Sequence, residues 1–110
     1  MTIKKLAVKY GTDTRSIDYW SNLGLVHFTQ ESNGYRDYGP EAEEDMKKIM
    51  IVRAMNVKNG EFTKYYKLID QLSDPIFGAL VIDKIEDEMK KKIESYKEAI
   101  KFAKELCKNA

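Results

Sequence analysis

A chain of 110 residues, 43% hydrophobic and 34% charged, is too apolar to be disordered and can hold one small domain with an attached helix. Its formal net charge of +1 hides a local imbalance: residues 41–45 carry four acids, whereas residues 46–69 carry six Lys and Arg against Glu61 alone. No apolar run approaches the ~20 residues of a membrane span, and Met1-Thr2-Ile3-Lys4-Lys5 lacks the apolar core of a signal peptide, so a cytoplasmic location is expected.

One cysteine and one histidine, Cys107 and His27, exclude an internal disulfide and any ordinary Cys/His metal site. No cofactor is expected. No nucleophile, base or phosphate-cradling loop can be assembled either, which argues against an enzyme.

Thr2 is placed to cap a first helix whose Ile3, Leu6, Ala7 and Tyr10 fall on one face. Gly11 ends it. Asp13 caps a second helix, reaching Asn22, on which two faces separate. Thr14, Ile17, Trp20 and Ser21 form the inward one, while Arg15, Asp18, Tyr19 and Asn22 form an outward one whose members all hydrogen-bond. Gly24 supplies a left-handed stop, with Leu25 folding back toward Trp20.

Two short helices joined by a glycine-containing turn form a helix-turn-helix unit. Residues 25–29 then read as a strand, residues 30–34 as a turn cornered at Asn33-Gly34, and residues 35–38 as the return strand. So short a ribbon must pack on the helices to be stable.

Pro40 opens a third helix, with Glu41, Glu43, Glu44 and Asp45 where the helix dipole favours acids. Met46, Ile49, Met50 and Arg53 follow on one face, and Ile51, Val52 and Met55 widen the apolar side. Residues 56–60 interrupt it. Phe62, Tyr65, Tyr66, Ile69 and Leu72 predict a fourth helix, which Ser73-Asp74-Pro75 breaks.

From Ile76 onward a heptad pattern can be counted. Ala79, Glu86, Ile93, Ile100 and Cys107 take one seam position, and Ile82, Met89, Tyr96 and Ala103 the other, with Glu86 the misfit. A helix with one apolar seam needs a partner helix. The expected dimerisation set is therefore Ile82, Met89, Ile93, Tyr96, Ile100, Ala103 and Cys107. In an antiparallel pair the two copies of Cys107 lie at opposite ends, since the stretch from Met89 to Cys107 alone spans about 27 Å. Cys107 then reads as a seam filler.

The start at Thr2-Ile3-Lys4-Lys5-Leu6-Ala7, the string Thr14-Arg15-Ser16-Ile17-Asp18-Tyr19-Trp20 and the wing Gly34-Tyr35-Arg36-Asp37-Tyr38 resemble the MerR family of bacterial transcriptional regulators. The resemblance is strong over residues 2–55 and covers architecture beyond. It implies that Arg15 and Tyr19 face DNA from the recognition helix, that Arg36 reaches phosphate, and that Tyr38 braces the wing. It also implies distortion of promoter DNA and work beside RNA polymerase.

The chain departs from the family pattern at three positions. Asp18 stands where an arginine is usual, Ser21 replaces the usual acid, and Asn56 replaces a turn glycine. Asp18 either accepts from a cytosine amino group or orients Arg15.

These readings give a mainly α fold: a winged helix-turn-helix domain over residues 1–73 and a long antiparallel coiled-coil helix over residues 76–110. The expected DNA-binding set is Arg15, Ser16, Asp18, Tyr19, Asn22, Tyr35 and Arg36, with Lys64 and Lys67 flanking the Tyr65-Tyr66 pair. His27 reads as a surface strand residue. The expected function is a homodimeric, sequence-specific regulator bound to double-stranded DNA at a pseudo-palindromic promoter site. An architectural or recombination-associated DNA-binding protein, or a coiled-coil protein that has lost DNA binding, stands as the alternative.

Overall fold

Thr2 and Asp13 start the first two helices in the same way. Each keeps an extended backbone while its side-chain oxygen accepts an amide of the first turn that has no helical partner. Lys5 N–H donates to Thr2 Oγ1 at 3.2 Å and Ser16 N–H to Asp13 Oδ1 at 2.7 Å. The helices are α1, Ile3–Lys9, and α2, Thr14–Asn22, in a computed structural model that describes residues 1–109.

Leu6 and Ala7 bury one side of α1, and Ile17, Trp20 and Ser21 one side of α2. Thr14, expected inward, is exposed, because the first residue past the cap precedes the buried stripe. Gly24 ends α2 at φ +78°, a left-handed conformation costly for a residue with a Cβ. Leu25 N–H then donates to Trp20 O at 2.9 Å, and the Leu25 side chain is buried.

The wing is shorter than expected and shifted. Strands β1, Thr29–Gln30, and β2, Arg36–Asp37, pair antiparallel, with Thr29 opposite Asp37 and Gln30 opposite Arg36. Residues 25–28 lie outside the ladder because Leu25 and Val26 enter the core and the His27 amide bonds to the Asp45 side chain. Tyr38 leaves it too, its N–H donating to Met1 O at 2.9 Å. Gly34, at φ +87°, makes the tight corner beside Asn33.

Helix α3, Pro40–Ala54, buries Ala42, Met46, Ile49 and Val52, and also Asp45. Ile51 and Arg53, expected on the apolar side, are exposed. Asn56 turns the chain at φ 53°, a left-handed conformation that asparagine tolerates where the family has a turn glycine. A 3-10 turn, Asn59–Glu61, leads into α4, Phe62–Asp70, which ends before Leu72. Tyr65, Tyr66 and Ile69 are buried, and the Phe62 ring stacks on Trp20 with centroids 6.1 Å apart. Residues Met1–Asp70 form one compact unit.

A second unit begins at Gln71. The Asp74 carboxylate caps a turn, accepting from the N–H groups of Ile76 at 2.7 Å and Phe77 at 3.0 Å. Helix α5, Gly78–Asn109, therefore begins after Ile76 rather than at it, and its 32 residues run about 48 Å. Gly78 fits there because a Cβ would lie 2.6 Å from the Leu72 carbonyl oxygen. Along α5 the side chains of Ile82, Ile93, Tyr96 and Ile100 are exposed, as are Ala103 and Cys107, while Met89 is half-buried.

Candidate nucleic-acid interface

The outward face of α2 is the one the helical period predicts: Arg15, Asp18, Tyr19 and Asn22 are all exposed. Ser16 is half-buried, with its amide held by the cap. Ser21 occupies the opposite side. Its hydroxyl donates to Ile17 O at 2.7 Å and lies 3.0 Å from the Tyr38 hydroxyl, so a buried hydrogen bond ties the end of the wing to α2. Tyr38 is 1% exposed and braces the wing. The Ser21 hydroxyl needs both partners because neither is open to water.

Arg36 folds back over this bracing. Its Nη1 donates to Asp18 Oδ1 at 2.8 Å and to the Tyr38 hydroxyl at 3.4 Å, and Nη2 donates to Asn22 Oδ1 at 3.4 Å. The guanidinium also lies 4.3 Å from the Phe28 ring centroid, a cation–π arrangement. The partner of Asp18 is thus Arg36, eighteen residues away, and neither of the sequence-based roles for Asp18 includes it. Tyr35, at the wing tip, is exposed.

Two further sets of cations border this surface. Lys4 and Lys5 line a cleft of about 620 Å³ with Asp18, Tyr35 and Arg36. Their signal in the sequence is a pair of lysines in a helix's first turn, where the dipole disfavours positive charge. Arg53 lines a cleft of about 430 Å³ with Tyr19, Trp20 and Phe62. The mid-chain basic stripe is partly neutralised, as Lys47 pairs with Glu44 at 2.8 Å and Lys48 with Asp70 at 2.5 Å. Lys64 reaches over the Tyr65 ring at 5.6 Å. Lys67 borders a cleft with His27, Glu41, Glu44, Asp45, Lys48 and Asp70.

Asp45, one of the acids expected to favour the start of α3, is the buried anchor of the segment between α2 and β1. It accepts from His27 N–H at 2.9 Å, from His27 Nδ1 at 2.8 Å and from the Tyr66 hydroxyl at 3.3 Å, which also reaches Leu25 O at 2.9 Å. The hydrogen bond to Asp45 holds the His27 imidazolium above its usual value of 6.5. Because the folded value is the raised one, this stabilisation is complete below pH 6.5 and is lost as pH rises through the folded value. The melting temperature is therefore expected to fall as pH rises from about 6.5 through the folded value of His27. Scanning calorimetry of His27→Gln, with that slope absent, checks it.

A short-turn helix pair, a polar outward face on its second helix and a ribbon bonded to that helix define the winged helix-turn-helix class of DNA-binding proteins. The family model for MerR helix-turn-helix regulatory proteins matches residues 1–67, and the chain belongs to that family. It is a DNA-binding transcriptional regulator of double-stranded DNA. The fold is shared with a MerR family transcriptional regulator from Listeria monocytogenes, at TM-score 0.67 and 22% identity over 91% of this chain and 77% of that one. No curated protein matches the chain. Among the described residues no helix is long and apolar enough to cross a membrane.

Proposed function

We propose that the protein acts as a homodimer that places two α2 helices in successive major grooves of a pseudo-palindromic promoter site. Half-sites would then be centred about 34–36 Å apart. The observation that carries this reading is the outward face of α2 beside a wing hydrogen-bonded to it. Arg15 and Tyr19 are assigned to base edges and the nearby backbone, and Arg36 and Tyr35 to phosphates flanking the groove. Lys4, Lys5 and Arg53 add to the phosphate footprint. The exposed stripe Ile82, Ile93, Tyr96 and Ile100 on α5 supports the dimer, because an isolated helix keeps no such face in water without a partner. As in other family members, the bound dimer distorts its promoter and thereby sets how RNA polymerase engages it.

DNA selected by the purified protein from a random pool, then titrated by fluorescence anisotropy, tests this. Affinity is expected to fall steeply with salt, and Arg15→Ala is expected to cost about 1–3 kcal/mol on the selected duplex. Binding without salt dependence, together with no loss for Arg15→Ala, contradicts the reading.

A further inference from the structure

Arg36 is held by more than one group. Asp18, Asn22 and the Tyr38 hydroxyl accept from its two terminal nitrogens, and Phe28 lies against its face. To grip a phosphate through those nitrogens, the side chain must exchange these partners for DNA. The exchange is feasible because the pair is wet: the side chains of Arg36 and Asp18 are 29% and 54% exposed, and such pairs are weak.

We propose that Asp18 is a specificity-determining residue that competes with DNA phosphate for Arg36 and so weakens binding that rests on backbone charge alone. This rests on the DNA-binding reading above. A non-specific complex is made almost wholly of phosphate contacts, so each cation neutralised within the protein subtracts from it directly. A seated recognition helix is different. Asp18 shares its face with Arg15 and Tyr19, and on the floor of the major groove such a face meets amino donors of cytosine and adenine rather than phosphate. The carboxylate is tolerated there once Arg36 has left it, while a protein sliding along the backbone keeps the pair closed. Asp18 thus lowers affinity for arbitrary DNA more than for the chosen site.

The test compares wild type, Asp18→Asn, Arg36→Ala and the double variant, each on a duplex selected by the wild type and on a random duplex, across a salt series. Circular dichroism melts check that Asp18→Asn folds as the wild type does. Asp18→Asn is expected to bind the random duplex about 3–10-fold tighter, with a salt slope steeper by about one. The selected duplex gains less, so the specificity ratio falls. With Arg36→Ala already present, Asp18→Asn is expected to add nothing on the random duplex. The proposal is overturned if Asp18→Asn leaves random-duplex affinity and slope unchanged, lowers both, or keeps its gain without Arg36. Wild type that binds neither duplex would instead remove the DNA-binding reading beneath it.

Discussion

An Ile93→Asp, Ile100→Asp double variant is expected to be monomeric and to bind the selected operator about 100-fold more weakly or worse. Both side chains are half-exposed on α5, at 50% and 55%, one heptad apart in the same seam position. In the proposed dimer, carboxylates there put four charges into the seam, where desolvation opposes pairing. The recognition unit, Met1–Asp70, contains neither residue and keeps its own core. On the proposed dimeric mode, what is lost is the second half-site contact, which a linked pair makes at high effective concentration. Analytical ultracentrifugation should give a mass near 12.8 kDa in place of twice that value. A monomeric variant that retained full operator affinity would count against the dimeric mode of binding.

Asp45→Ala is expected to cost about 3 kcal/mol of stability. Asp45 is 4% exposed and takes three hydrogen bonds from His27 and Tyr66. After truncation the Tyr66 hydroxyl keeps Leu25 O, while the part-buried His27 amide loses its acceptor. Since small domains have only about 5–15 kcal/mol in total, the melting temperature should fall by more than about 10 °C. Asp45→Asn, which keeps an acceptor oxygen, should lose less. Urea unfolding of both variants provides the measurement, and a loss below about 1 kcal/mol for the alanine variant would contradict the anchoring role.

Stability and recognition meet in the segment between α2 and β1. Asp45 and Tyr66 fix its path, and that path delivers Phe28 beneath Arg36 and β2 alongside α2. Loosening Asp45 is therefore expected to reach the DNA face through the wing.

Helix existence, both N-caps, the left-handed Gly24 and the split faces of α2 are legible in the sequence. Each depends on residues within about four positions of one another, where backbone sterics and helical period act without knowledge of the rest of the chain. The family motifs add the wing and its bracing tyrosine. The extent of the wing was not legible in the same way, because Leu25 and Val26 read equally well as strand or core and only the returning α3 and α4 decide between them.

The sequence by itself determined the kind of protein this is: a winged helix-turn-helix built on capped short helices, with a long helix carrying one apolar stripe. Tertiary structure alone decided what its charges do. Asp18 meets Arg36 across 18 residues, His27 meets Asp45 across 18, and Tyr66 meets Asp45 across 21. A charge is placed by whichever partner the folded chain brings within reach, and for these pairs the chain has to leave one element and return before the two can meet.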